Sequence, residues 1–311
     1  MPTKKGTMLA VAVLLATFAN AAKTIAPITP ALVNGCYEIS SAAELYGFAS
    51  LLKGVDTPFT GCAKLTADIV VNEGVLTQDD SLNVADTANF VVWSPIYNFA
   101  GVFDGLGHTI SGIYYDYKIK DGPWSVAGFF STLVSGEERS IEVRNLGIVG
   151  SFFHGYQHVG AIVGSIHSGS VSSKSNVLIE NCSSHVRLET DEFFDRVGGI
   201  VGYVDGRAVI RNCSASGLIV GSYDNVGGVV GEISIKNAAL DDQPIFVENC
   251  SSNVRIKGII EVAGGIVGRM NGWVKIINGE NHGEVEGDTT GGIASLITKL
   301  MNCFILLNNE H

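Results

Sequence analysis

The acidic residues offer this chain its most direct route to chemistry. Glu189, Asp191, Glu192 and Asp195 fall within seven positions, and Asp241 is followed at once by Asp242. Paired carboxylates can do acid–base work on polysaccharides or hold calcium, which makes Asp191 and Asp195 the calcium candidates. Both groups lie at inserts or repeat edges, no Arg or Lys constellation converges with them, and solvated loops explain them more simply. His154 and His158 stand four apart, which on a helix would be metal-ligand spacing. Gly155 between them and strand-like flanks place them in a loop instead, and no His-Glu-x-x-His pattern occurs. Asp104 precedes Gly105 between apolar stretches and reads as a tight turn with positive φ, not a catalytic acid. No catalytic set and no cofactor are expected.

The elements that would position these groups are repeats. An asparagine, usually followed by Cys-Ser, recurs as Asn145, Asn181-Cys182, Asn212-Cys213, Asn249-Cys250, Asn278 and Asn302-Cys303, at separations of 36, 31, 37, 29 and 24 residues. Alternating with it is a Gly-Gly-apolar-apolar-Gly unit. Its glycines are Gly160 and Gly164; Gly198, Gly199 and Gly202; Gly227, Gly228 and Gly231; Gly264, Gly265 and Gly268; and Gly291 and Gly292. A period near 30 built from Val, Ile, Ser, Asn and Gly, without helical heptads, predicts stacked β-coils that bury apolar faces only against their neighbours. Glycine pairs suit sharp bends where coils approach closely, through positive φ and the missing Cβ. Asn181, Asn212 and Asn249 formally match the Asn-x-Ser glycosylation pattern, but at a stacked turn an amide ladder is the better account. A phosphate-binding loop would need a lysine and a strand-to-helix context that these glycines lack. Inserts such as 236–244 fall between the motifs, as loops on a regular stack should.

Upstream, Ser41 and Glu44 have capping-box spacing before Leu45, Phe48, Ala49 and Leu52, and Gly54 suits a helix end. This helix would cover the first coil. Tyr37–Ile39, Lys64–Asn72 and Phe90–Trp93 read as strands. Cys36 and Cys62 flank the helix, and in an exported chain they are expected to form a disulfide. Cys182, Cys213 and Cys250 share one repeat position and should stack about 4.8 Å apart. Parallel side chains would hold their Cβ atoms beyond the usual ~3.5–4.5 Å of a disulfide, so reduced, buried thiols are expected. Ligands stacked in a line cannot surround zinc.

Composition narrows the setting. Hydrophobic residues form 46% of the 311, and glycine counts 38 against 7 prolines, so a large core is available and disorder is not expected. A net charge of −11, with 20 Lys and Arg among 31 acids, argues against nucleic-acid binding. Lys4 and Lys5, the apolar run Met8–Phe18 and Ala19-Asn20-Ala21 read as a signal peptide over 1–21, cleaved after Ala21. The apolar run is shorter than the roughly 20 residues that span a bilayer, and no later segment is better suited.

The chain resembles bacterial secreted and cell-surface proteins that carry GLUG-type repeats, whose unit reads roughly Asn-Cys-x-x-x-Gly-x-Val, a linker, then Val-Gly-Gly-Ile-Val-Gly. Residues 195–231 carry the match most closely, through Val197–Gly202, Asn212-Cys213, Gly217 and Val226–Gly231. Gly101–Ile113, Ala127–Phe130, Ala43–Ala49 and Leu65–Val70 resemble the leader that precedes such repeats. The resemblance implies a right-handed parallel β-solenoid (β-helix) with a short N-terminal capping helix, exported to the cell surface or beyond. It implies no reaction, since in such families the repeats accompany adhesins, surface layers and immunoglobulin-cleaving metallopeptidases. The expected organisation is a cap over 22–70, leader coils over 71–142 and a repeat solenoid over 143–311. The apolar run Phe304–Leu307 departs from the repeat, and a fragment of a longer protein is expected. The function expected is a structural or adhesive module binding extracellular glycans or surface proteins. A β-helical lyase or hydrolase, or an accessory region of a larger surface peptidase, is the alternative. Tyr114, Tyr115, Tyr117, Trp124 and Tyr156 are candidate exposed aromatics for glycan contact.

Overall fold

A computed structural model describes residues 23–119, 126–135, 140–168, 176–191, 195–222, 225–235, 243–299 and 304–306. The expected signal peptide, Trp124, Glu192, Asp241, Asp242 and the Asn302-Cys303 pair lie outside them.

One coil shows how the sequence turns on itself. Val177–Glu180 forms the first side, Ser183–Thr190 the second, Arg196–Gly198 the third and Val201–Asp205 the fourth. Ala208–Arg211 then lands in parallel register on Val177–Glu180, and the next coil begins. Repetition produces stacked parallel sheets of ten, eight, five and six strands. The architecture is a parallel β-solenoid. Its ten-stranded sheet runs back without a break through Val102–Asp104 and Cys62–Leu65 to Cys36–Ile39.

Alternation builds the core. In Val177–Glu180, Ala208–Arg211, Ile245–Glu248 and Val274–Ile277, every second residue is buried. Ile179, Ile210, Val247 and Ile276 thereby form one continuous apolar column. Each such side chain removed from water contributes about 1.5–3 kcal/mol. Nearer the N-terminus the lumen is aromatic, with Phe48, Phe99, Phe103, Phe129, Phe130 and Trp93 all buried. Trp93 stacks on Phe129 at 5.4 Å between ring centroids.

Helix α1 spans Ala42–Leu51, and the Ser41 hydroxyl accepts a hydrogen bond from the Glu44 amide at 3.3 Å. The Glu44 carboxylate reaches past Ser41 to accept from the Ser40 amide at 2.9 Å. Leu45 and Phe48 enter the lumen. A hairpin that the strand signals missed precedes the helix. Ala31–Val33 pairs antiparallel with Cys36–Ile39 through Asn34 (φ 51°) and Gly35 (φ 79°), the two left-handed residues that a type I′ turn requires.

Three expectations are corrected. Phe90–Trp93 is not a strand, and contributes only a bridge between Val92 and Tyr114. Lys64–Asn72 is divided into parts of two sides, Cys62–Leu65 and Ile69–Val70. Phe304–Leu306, expected to depart from the repeat, continues the ten-stranded sheet by pairing with Lys275–Ile277.

Candidate functional site

The repeated polar residues occupy columns along the stack. Asn145, Asn181, Asn212, Asn249 and Asn278 all adopt φ between 51° and 55°, the left-handed region that asparagine tolerates best after glycine. The Asn181 amide donates to the Asn145 side-chain oxygen at 3.1 Å, Asn249 to Asn212 at 3.1 Å and Asn278 to Asn249 at 2.8 Å. Asn145 donates to Asp104 at 2.9 Å, which makes the aspartate an end group of the column. Asp104 also accepts from the Leu106 amide at 2.9 Å, and the positive φ of this turn lies at Leu106 and Gly107, not at Asp104-Gly105.

None of the motif glycines has positive φ, and what nearly all of them supply is the missing Cβ. A Cβ on Gly198 would lie 2.0 Å from the Val201 carbonyl oxygen, inside its own bend. On Gly199 it would lie 2.2 Å from the Gly228 oxygen of the next coil, and on Gly231 2.5 Å from the Gly202 oxygen of the coil before. Three positions thus serve one bend and two coil contacts.

Cys182, Cys213 and Cys250 are free and buried behind this turn. Each thiol is within hydrogen-bond reach of two backbone oxygens, one at 3.3 Å in its own coil (Glu180, Arg211 and Glu248) and one at 3.6–3.7 Å a coil back (Val143, Ile179 and Ile210). The neighbouring Cys182 thiol and burial push the Cys213 pKa up, and Cys213 and burial do the same to Cys250. Cys36 and Cys62, also register partners on parallel strands, are joined in a disulfide with Cα atoms 4.4 Å apart. Parallel stacking by itself is therefore no barrier to bridging, contrary to the argument from Cβ spacing.

Charges form a column of their own. Glu38, Lys64, Asp104, Arg144, Glu180, Arg211 and Glu248 are successive register partners, and their signs alternate throughout. Lys64 contacts Glu38 at 3.0 Å, Arg144 contacts Asp104 at 2.9 Å and Arg211 contacts Glu180 at 2.7 Å.

At the far end of the long strand Gly147–Gly155, His154 joins three coils. Its Nδ1 lies 3.0 Å from Asp116 of the preceding coil and its Nε2 3.1 Å from Asp191 of the following one, the latter too oblique for a hydrogen bond. Asp191 also pairs with Lys118 and accepts from the Tyr117 hydroxyl at 3.3 Å. Burial disfavours the charged imidazole, but Asp116 and Asp191 outweigh it and hold the His154 pKa above its ordinary value. His154 and Lys118 hold the Asp116 and Asp191 carboxyls low against burial. Around the corner Glu232, 4% exposed, accepts from Arg196 at 2.8 Å and Asn225 at 2.9 Å. On the outer face Asp80 lies 2.9 Å from His185 and 2.8 Å from Arg255, strapping a loop across three coils. A general base needs a reachable lone pair, and His154 is 5% exposed with a carboxylate at each nitrogen. The arrangement clamps coils.

The glycine and asparagine columns decide the family comparison. The model for the GLUG motif matches residues 196–221, from Arg196 through Gly202 and Asn212-Cys213 to Gly221. The chain carries the GLUG motif. No curated protein matches the sequence. A solved structure of a candidate immunoglobulin A1 protease from Bacteroides ovatus is similar over 85% of this chain and 83% of that one, at 20% identity and a TM-score of 0.47.

Several expected site residues stand elsewhere than the sequence reading placed them. His154 and His158 lie in strands flanking a corner, not in a loop. Of the two calcium candidates, Asp191 pairs with Lys118 and His154, and Asp195 is buried. Cations do converge on the acids, through Lys118 at Asp191 and Arg187 at Glu189. Tyr114 and Tyr115 are buried, whereas Tyr156 is exposed and packs against Tyr117 at 5.7 Å. Among the described residues no three His, Cys, Asp or Glu side chains form a metal cluster, and no helix is long and apolar enough to cross a membrane. The charge column and the Asp116–His154–Asp191 clamp were missed. The residues just before four of the column asparagines, Arg144, Glu180, Arg211 and Glu248, alternate in sign and carried the signal for the column.

Proposed function

We propose that this chain is an exported or cell-surface GLUG-repeat protein whose solenoid is a scaffold and binding surface without catalysis of its own. It would act alone or as an accessory region of a longer protein. The observation that carries this reading is the use of its ionisable groups. Asp104, Asp116, Glu180, Asp191 and Glu232 each pair with a basic side chain from another coil, which is what a load-sharing stack needs. Catalytic carboxylates instead require an approachable face and a pKa matched to proton transfer. The Cys36–Cys62 disulfide supports an oxidising compartment, because such bonds persist outside the cytosol. A long, regular, charged face suits extended partners such as glycan chains or surface proteins.

Location and binding are tested together. Intact cells producing the full chain are treated with an impermeant amine-labelling reagent, and washed cells are probed with a fluorescent polysaccharide panel. The reading expects labelled protein outside the membrane and chain-dependent polysaccharide retention. Protein labelled only after lysis would overturn the export half, and no retention of any polysaccharide or surface protein would overturn the binding half.

A further inference from the structure

Beside helix α1 lies an open cavity of about 260 Å³, away from the repeat columns. That is room for about nine waters' worth of ligand, the size of one sugar ring. Its walls are mainly apolar. Tyr46 and Tyr97 supply rings, Pro95 a rigid edge, and Ser50 and Ser94 hydroxyls. The Tyr46 ring is fixed from behind, edge-on to Trp93 at 5.2 Å, with its hydroxyl donating to the Val92 carbonyl at 3.3 Å. Tyr97 is 46% exposed, an unusual setting for a large ring in a protein that buries most of its aromatics. At the rim stands Lys53, exposed, with no ion pair among the described residues. On a chain of net charge −11, Lys53 sets a positive charge beside an apolar cavity.

We propose that this cavity binds a single carboxylated sugar residue, such as the uronic acid end of an extracellular glycan. The inference rests on the reading of the chain as an exported binding module. Flat aromatic walls accept the apolar C–H faces of a pyranose, and a few placed polar groups fix its orientation. The Ser94 hydroxyl meets the ring hydroxyls, and the Ser50 oxygen, whose proton goes to the Tyr46 carbonyl at 2.7 Å, accepts from them. Lys53 receives the carboxylate, and this ion pair selects an acidic sugar over its neutral counterpart. Being exposed to solvent, the pair contributes selectivity on the order of a few-fold. The site is prearranged, because the helix and the buried Trp93 hold its walls before any ligand arrives.

The test uses the full chain with glucuronic acid and glucose as probes, by saturation-transfer NMR and titration calorimetry. Both sugars should receive saturation at their ring protons, with glucuronate bound about three- to fivefold more tightly. Lys53→Met should bring glucuronate down to the level of glucose. Tyr97→Ala, at an exposed position and with the fold checked by circular dichroism, should weaken both about tenfold, the loss of one ring contact. No saturable signal, equal affinity for the two sugars, or a preference that survives Lys53→Met would overturn the assignment. Polysaccharide retention that survives both substitutions would leave the surface-binding reading standing and remove this cavity from it.

Discussion

The Nε of Arg211 donates a 2.7 Å hydrogen bond to Glu180 of the preceding coil, while Arg211 stands in register with Glu248 of the following one. One cation therefore stands between two carboxylates that lie two rungs apart on the ten-stranded sheet. Arg211→Glu would set three like charges on consecutive rungs. It should cost about 1–2 kcal/mol more than Arg211→Gln, a difference that shrinks at high salt. Urea unfolding of both variants at low and high ionic strength measures this, and equal midpoints at low salt would show the column to be energetically passive.

The glycine columns predict a contrast between two chemically identical changes. A Cβ on Gly228 would meet the Gly265 carbonyl oxygen at 2.1 Å, whereas one on Gly292 finds nothing within 4 Å. Gly228→Ala should destabilise the solenoid by about 2–3 kcal/mol, as overpacking against rigid backbone does. Gly292→Ala should stay within about 0.5 kcal/mol of the parent. Comparable losses at both positions would mean that close coil approach is not why the pair is glycine.

His154 predicts a pH dependence of known sign. The fold raises its pKa above 6.5, so its stabilisation is complete below that value and is lost as pH rises through the folded pKa. Asp116 and Asp191, held below the ordinary 3.8, act in the opposite sense, their contribution vanishing as pH falls beneath it. Stability should thus decline on the alkaline side of about pH 6.5, and His154→Gln should flatten that decline. Denaturant midpoints collected across neutral pH give the comparison. Parallel profiles for parent and variant would remove His154 from the account.

The cysteines should behave as two populations. Cys36 and Cys62 are 26 residues apart, and opening their bridge should cost about 3.5 kcal/mol by the chain-entropy relation. Cys182, Cys213 and Cys250, buried and with the pKa of the latter two pushed up, should resist alkylation until the coils open. Mass-spectrometric mapping of alkylated sites, native against unfolded, distinguishes them. Modification of Cys213 in the folded, unreduced protein would contradict its placement.

The stack was legible because asparagine and glycine recur in register, and the helix because Ser41, Glu44 and Phe48 stand at helical spacing. The physical reason for the glycines was half legible. Positive φ belongs to Asn181, Asn212 and Asn249, while Gly199 and Gly228 need only to lack a Cβ, and composition cannot separate those demands. The hairpin was readable in Asn34-Gly35, the pair that a type I′ turn favours. The clamp was not readable. Asp116, His154 and Asp191 are 38 and 37 positions apart, and only the coil register brings them together. Until the coils are aligned, His154 shows nothing but its distance from His158.

The central claim is that the carboxylates of this solenoid hold coils together and do not turn over substrate. It is tested most directly by incubating the full chain, beside Asp116→Asn and Glu232→Gln variants, with polysaccharides while following reducing-end release and thermal unfolding. The account predicts no product from any of the three proteins, and unfolding temperatures for the variants lowered by several degrees. Sustained product release by the parent chain, abolished by either substitution without loss of stability, would contradict it.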